Sequence, residues 1–156
     1  MNTIFNGDTH SKSVYKNKVK RGFCWFYKED VMSIIELWLH NKIYHKEIAD
    51  YLINELGIST VAIYGAAQLG ELLYDDLLDK KGIEVRYFID RAADELYYGI
   101  DDMEIFSLKE LDSVPIVDAI IVTPYQYMDS IAEVLRNKLP FNTQILSLED
   151  IICRVE

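Results

Sequence analysis

The sequence predicts an α/β fold, in which a mainly parallel sheet of five strands carries helices on both faces. From residue 58 onward, short apolar runs rich in β-branched and aromatic residues alternate with amphipathic stretches of helical period. Such alternation is typical of parallel sheets covered on both sides. Counted along the chain, the strands are expected in the spatial order 3-2-1-4-5, after an N-terminal helical extension.

Composition and charge narrow the class of protein. The 156 residues suffice for one domain, and 50% apolar and 27% charged residues are typical of a globular chain. A net charge of −10 argues against nucleic-acid binding, since phosphates would be repelled. No run approaches a transmembrane segment or a secretory signal, and two cysteines without a CxxC motif favour a reduced, cytoplasmic setting.

Three segments are expected along the chain. Residues 1–28 form a basic, polar arm, which we interpret as a solvated terminus or, alternatively, as a docking element for an acidic partner or a membrane surface. Residues 29–57 form a helical lead-in, with helices over 29–40 and 43–56 and a stop at Gly57. Residues 58–156 are expected to form the α/β domain itself.

The domain's elements follow from period and turn signals. Strands are predicted over 60–64, 83–89, 103–106, 117–123 and 143–148, and helices over 69–81, 124–138 and 147–153. Two capping boxes are predicted to start helical segments, one from Ser107 to Glu110 and one from Thr123 to Gln126, with Pro124 at the first helical position.

The stretch YGAAQLG, residues 64–70, joins the first strand to the first helix of this domain. Gly65 permits a tight turn, Gly70 permits close packing of the helix, and a helix beginning near Ala67 offers N–H groups to a phosphate. Ala67 stands where the Gly-x-Gly-x-x-Gly pattern has its middle glycine, so its methyl group favours a looser or smaller ligand than a tightly held dinucleotide.

Two further loops are expected at the same edge of the sheet. Asp90 ends the second strand and either accepts hydrogen bonds from a ribose or caps the next turn, and Arg91 follows it. Thr123 brings a hydroxyl to the rim, while Tyr125 and Tyr127 either flank a base or cover the core.

The segments VAIYGAAQLGELLYDDL, VRYFIDR, IFSLKEL and AIIVTPYQY together resemble the Rossmann-like nucleotide-binding domains of bacterial surface-polysaccharide biosynthesis proteins. They are similar to the amino-terminal CoA-binding-like domain of nucleoside-diphosphate-sugar epimerase/dehydratases. The resemblance implies NAD or NADP as cofactor, with a nucleotide-sugar or CoA as alternatives. It marks a phosphate loop, a ribose-side pair and a rim: Gly65, Ala66, Ala67, Gln68, Leu69 and Gly70; Asp90 and Arg91; Thr123, Pro124 and Tyr125.

We therefore expect an accessory nucleotide-binding module that serves glycan assembly with a partner enzyme. One alternative is a regulatory protein that kept the fold without the ligand and that associates through residues 29–56, with Trp38, Leu39 and Tyr51 as anchors. Another is a part of an epimerase or dehydratase completed by a partner. No catalytic motif and no metal-spaced set stands out, and the candidate bases Tyr125, Tyr127 and Asp129 have no positioned partner.

Overall fold

The structure, a computed structural model, describes residues 31–95 and 100–155 together with the backbone of residues 18–21 and 24–27. Most of the predicted basic arm and the loop at Gly99 lie outside the described residues. Strands β1 (Lys18–Arg21) and β2 (Cys24–Tyr27) pair antiparallel, and they precede the first helix of residues 31–155 in sequence.

Five parallel strands form the main sheet, and they confirm the predicted fold class and strand order. They are β3 (Thr60–Tyr64), β4 (Glu84–Ile89), β5 (Ile105–Phe106), β6 (Ala119–Val122) and β7 (Gln144–Ser147). Their spatial order is β5-β4-β3-β6-β7, which is 3-2-1-4-5 when the five are counted along the chain. The order reverses between β3 and β6, where ligands bind in sheets of this kind.

Five helical segments accompany the sheet in the part of the chain that the structure describes. They are α1 (Val31–Ile43), α2 (Ile48–Asp50, continued as a π-helix over Tyr51–Glu55), α3 (Gln68–Leu77), α4 (Met128–Arg136) and α5 (Leu148–Arg154). Short 3₁₀ turns lie at Ala93–Glu95 and Tyr125–Tyr127. None of the described helices is long and apolar enough to cross a membrane.

Apolar side chains of the sheet enter two buried clusters, one on each face. On one face, Ile63 of β3 packs in a cluster with residues of α1, α2, α3 and α5, among them Ile34 of α1 and Leu73 of α3. On the other face, Ile120 packs with Leu135 of α4. Strands buried on both faces explain the nearly continuous apolar runs in the sequence.

The lead-in helices share the first of these clusters and are tied to the rest by polar contacts. Trp38 Nε1 donates to Asp76 Oδ2 on α3 (2.8 Å), and the side-chain amide of Asn41 donates to the carbonyl of Ile152 on α5 (2.9 Å). Trp38 is only 7% exposed, which corrects its expected role as an anchor for a partner, whereas Leu39 is 59% exposed. The boundary at residue 57 stays a prediction.

The second lead-in helix is shorter than predicted, and it begins at Ile48 instead of residue 43. His45 adopts a left-handed backbone (φ 57°), and the N–H of Lys46 bonds the carbonyl of Asn41 (2.9 Å). This is the pattern of a Schellman cap, with histidine at the position that glycine usually occupies. The cap ends α1, so the two helices cannot merge.

Helix α3 and the two capping boxes also differ from the predictions. Helix α3 ends at Leu77 because Leu78 turns to ψ 137°, so residues 78–81 are not helical. Glu110 accepts hydrogen bonds from the N–H and the hydroxyl of Ser107 (2.7 and 2.8 Å), but the segment forms turns instead of a helix. The Thr123 box is wrong, since α4 begins at Met128 and the Thr123 hydroxyl bonds the carbonyl of Tyr64.

Candidate functional site

A cavity of about 570 Å³ opens at the carboxyl ends of β3, β4 and β6, where the sheet order reverses. The loops that follow these three strands meet there, as the sequence predicts for a parallel sheet. The start of α1 and one side of α4 complete the wall. The lining residues are Val31, Tyr64, Gly65, Ala67, Gln68, Leu69, Asp90, Arg91, Thr123, Pro124, Gln126, Tyr127, Ser130 and Ile131.

Both glycines of the first loop are required by close packing. Gly65 has φ 104°, and a Cβ placed there would lie 2.5 Å from Thr123 Oγ1. A Cβ placed on Gly70 would lie 1.9 Å from the carbonyl oxygen of Gly65, which is a prohibitive contact. The two glycines therefore let α3 and the loop after β6 approach the end of β3, and this approach shapes the cavity.

The amino end of α3 opens on this cavity without a side-chain cap. Ala67 is the N-cap residue, with φ −114° and ψ −171°, and its methyl group accepts no hydrogen bond. The N–H of Glu71 bonds the carbonyl of Ala67 (3.0 Å), so the N–H groups of Gln68, Leu69 and Gly70 in the first turn have no partner within the helix. Since Ala67, Gln68 and Leu69 line the cavity, these donors and the positive end of the helix dipole lie at its wall.

Asp90 joins the first loop to the second. One carboxylate oxygen accepts the N–H of Ala66 and the other accepts the N–H of Ala92, each at 2.8 Å. The N–H of Gly65 also bonds the carbonyl of Ile89 (2.8 Å). The expected capping role of Asp90 is therefore present in the structure, and each oxygen retains a lone pair because a carboxylate oxygen accepts two bonds.

Two charged side chains lie near the phenol of Tyr64, beside the hydrogen bonds that Asp90 makes. Burial raises the pKa of the Tyr64 phenol, the positive charge of Arg91 opposes that rise, and the negative charge of Asp90 adds to it. The three side chains therefore influence one another at the end of the cavity formed by β3 and β4. Within residues 31–95 and 100–155, Asp90 and Arg91 are the charged residues of the lining.

Thr123 fastens the third loop to the first. Its hydroxyl donates to the carbonyl of Tyr64 (3.0 Å), its N–H bonds the same carbonyl (3.0 Å), and its side chain is buried. The hydroxyl proton is therefore committed to the backbone instead of being offered at the rim. Pro124 follows at the cavity wall and starts the 3₁₀ turn that leads into α4.

The predicted site residues divide into three groups. Eight of them line the cavity: Gly65, Ala67, Gln68, Leu69, Asp90, Arg91, Thr123 and Pro124. Ala66 and Gly70 support the loop from outside the lining. Tyr125 corrects the sequence expectation, because the 3₁₀ turn directs its side chain into the core, where it is 4% exposed.

Six lining residues lie outside this predicted set. Tyr64 ends β3, Tyr127 was a candidate either to flank a base or to cover the core, and the other four were not predicted for the site. Gln126 lies in the 3₁₀ turn, and Ser130 and Ile131 lie in the first turn of α4. These three residues follow the predicted rim at Thr123 closely in sequence, and this nearness is the signal that could have placed them at the site. Val31 comes from the lead-in, and nothing local in the sequence signals this contact. Among residues 31–95 and 100–155, no group of three or more histidine, cysteine or acidic side chains is arranged to hold a metal ion.

A comparison with known families identifies this region. Residues 57–144 match the family described as C2185-like, N-terminal. The chain belongs to this family. The C2185-like region runs from Gly57 to Gln144, so it contains all three loops of the cavity and leaves Val31 of α1 outside.

Other comparisons add little to the family assignment. The C2185-like chain resembles the crystal structure of RSP, a Rex-family repressor, with 16% sequence identity and a TM-score of 0.42. The similarity covers 69% of this chain and 59% of that one, and at this level it says nothing about function. A search of curated proteins found no match.

Proposed function

We propose that this chain is a module that binds an anionic nucleotide, NAD(P) or a nucleotide-sugar, in the cavity at the carboxyl edge of the sheet. CoA is the alternative ligand. The observation that carries the proposal is the uncapped amino end of α3, which lies at the wall of a cavity formed by three converging loops. Unpaired N–H groups and the helix dipole together favour a phosphate at such a position.

The rest of the lining suits the other parts of a nucleotide. Asp90 has lone pairs left for ribose hydroxyls after bonding Ala66 and Ala92. Exposed Gln126 and Tyr127 line the opposite wall, and an amide and a phenol can respectively hydrogen-bond and stack on a base. Among the described residues of the lining, Arg91 supplies the positive side chain.

Binding is proposed instead of catalysis because the candidate bases are not assembled. Tyr125 is buried in the core, Asp129 does not line the cavity, and Tyr127 alone stands at the wall. The association with surface-polysaccharide assembly is part of the proposal and rests on the sequence resemblance alone. UDP-sugars are therefore included in the test below beside the redox nucleotides.

The deciding experiment combines a ligand panel with substitutions at Ala67. NAD(H), NADP(H), UDP-sugars and CoA are titrated by calorimetry, and the melting temperature is followed in parallel. The extended backbone of Ala67 suits an N-cap, so Ala67→Asp should stabilise the protein by about 1 kcal/mol and raise the melting temperature by roughly 2–4 °C. The same carboxylate would occupy the phosphate position, and we expect affinity to fall at least tenfold.

Ala67→Asn is the matched control, since it caps the helix without a charge. It should raise the melting temperature while losing less affinity than Ala67→Asp. A panel without response at millimolar concentration contradicts the proposal. Equal affinities in Ala67→Asp and Ala67→Asn would also contradict it, because a phosphate at the end of α3 must distinguish them.

A regulatory or interaction protein that binds no nucleotide is the second candidate. It is favoured because the residues of the predicted nucleotide site already have structural roles. Gly65 and Gly70 allow the close packing of α3 and the loop after β6, and Asp90 accepts hydrogen bonds from two backbone N–H groups. None of these duties needs a ligand. In that case Ala67→Asp would stabilise the protein and no member of the panel would bind.

A further inference from the structure

A second concave surface lies at the opposite edge of the sheet. It is a groove of about 350 Å³ between the segment before β6 and the segment before β7. Leu111 and Val114 contribute to one wall, and Leu139 and Pro140 contribute to the other. The groove is lined by apolar side chains from both walls together with the charged residues Asp112 and Lys138, and the length of the strands separates it from the cavity at the carboxyl edge.

Both walls are held by hydrogen bonds. The Tyr87 hydroxyl donates to the carbonyl of Pro115 (2.9 Å), and the Thr143 hydroxyl donates to the carbonyl of Val117 (3.2 Å). The N–H of Thr143 also bonds the carbonyl of Pro140 (3.1 Å) and closes the turn that carries Phe141. A groove fixed in this way loses little conformational entropy when it is filled.

A large apolar knob stands beside the groove and does not fill it. Phe141 is 107% exposed at the tip of its turn, and Ile116 on the other segment is 69% exposed. Exposed apolar surface next to an apolar depression is typical of an interaction site. Aromatic side chains that enter a pocket are also the residues that dominate interface energies.

We propose that this face associates with a second copy of the chain, so that Phe141 of each copy enters the groove of the other. Knob and groove are neighbours on one surface, and a two-fold axis between two copies presents each knob to the opposite groove. A single patch is thereby self-complementary, and two grooves are filled at once.

Charge at the groove fits the same partner. Asp112 and Lys138 both line it, and neither forms an ion pair within the part of the chain that the structure describes. In a two-fold arrangement, Lys138 of one copy meets Asp112 of the other. This pairing offsets locally the repulsion expected between two chains of net charge −10.

The oligomeric state of the full chain tests the proposal, by analytical ultracentrifugation from low to high micromolar concentration. The wild-type chain should be a dimer, and Phe141→Ser should raise the dimer dissociation constant by about 30-fold or more. Because Phe141 makes no buried contact in one copy, the melting temperature of the Phe141→Ser variant in dilute solution should stay near that of the wild type.

Two controls make the test specific. Leu39→Ser removes a 59% exposed side chain from α1 and should leave the dimer unchanged, whereas the association through residues 29–56 expected from the sequence requires it to weaken the dimer. Lys138→Asp and Asp112→Lys should each weaken the dimer, and the double variant should recover most of the loss.

Three outcomes would overturn the proposal: a monomeric wild-type chain at high micromolar concentration, a dimer insensitive to Phe141→Ser, or a dimer lost in Leu39→Ser. None of them bears on nucleotide binding, since the groove and the cavity lie at opposite edges of the sheet.

Discussion

Two aspartates tie the central strand β3 to its neighbours, one at each end, and they do so differently. At the amino edge, a single oxygen of Asp118 accepts the N–H and hydroxyl of Ser59 and the N–H of Thr60, each at 2.9 Å. At the carboxyl edge, the two oxygens of Asp90 accept one N–H each, from Ala66 and Ala92. Both carboxylates accept hydrogen bonds from backbone N–H groups that have no partner in the β-sheet.

The difference lies in what surrounds each carboxylate. Asp118 gathers its donors on an exposed edge, and these hydrogen bonds lower its pKa to about 2. Asp90 lies half-buried at a cavity, beside Arg91 and the open end of α3. An acid after the second strand of such a sheet thus has a structural duty of its own, so its presence alone does not establish contact with a ribose.

The largest predicted effect comes from a substitution that disrupts the packing of α3 at the carboxyl edge of the sheet. Gly70→Ala places a Cβ 1.9 Å from the carbonyl oxygen of Gly65, so α3 or the loop must move. Because the Cβ has no rotatable bond that could move it away and the carbonyl oxygen belongs to the backbone, we expect the free energy of unfolding to fall by about 3 kcal/mol or more. Urea denaturation measures this change.

Gly57→Ala is the control for backbone strain without a clash. Gly57 also has a positive φ, of 67°, but no atom lies within 4 Å of an added Cβ. The loss should be about 1 kcal/mol, as expected for alanine in a left-handed conformation. Equal losses at the two glycines would mean that close packing of α3 does not define this edge.

The next effect removes the bridge at Asp90. Asp90→Ala leaves the N–H groups of Ala66 and Ala92 without their acceptor, and hydrogen bonds to a charged group are worth about 1.5–3 kcal/mol. Water can reach these N–H groups in part and replaces some of the lost hydrogen bonding. We therefore expect the free energy of unfolding, measured by urea denaturation without any nucleotide, to fall by roughly 2 kcal/mol. An unchanged stability would show that Asp90 serves a ligand only.

Particular residues show what could be predicted from the sequence. Apolar runs with β-branched residues placed β3 at residues 60–64, as observed, and the strand order followed from connection rules. The loops of Gly65, Asp90 and Thr123 met because the carboxyl ends of parallel strands share one edge. These predictions depend on period and topology, which local sequence carries.

The failures depend on packing that local sequence does not carry. The Thr123 hydroxyl satisfies the carbonyl of Tyr64, so the capping box that its spacing indicated never forms. The resulting 3₁₀ turn separates the two tyrosines, with Tyr125 in the core and Tyr127 at the cavity, whereas the sequence left both readings open for each. Val31 reaches the cavity only because α1 packs on the body.

The smallest effect concerns the amino edge and appears as a pH dependence. The pKa of Asp118 lies near 2 in the folded chain, below its ordinary value of 3.8, so its stabilising contribution is complete above about pH 4 and is lost as the pH falls towards 2. Since the residue is exposed, solvent screening limits this contribution to about 1 kcal/mol or less.

Asp118→Asn should therefore unfold slightly more easily than the wild type at pH 7, and the difference should shrink towards zero near the folded pKa. Glu133→Gln, which removes an exposed carboxylate from α4, controls for the general effect of lost negative charge. If the difference in the free energy of unfolding between wild type and Asp118→Asn stayed constant from pH 7 to pH 2, the proposed contribution of the Asp118 hydrogen bonds would be contradicted. A converging pair would show that the amino edge is held by charge, whereas the carboxyl edge also depends on the close approach of two glycines.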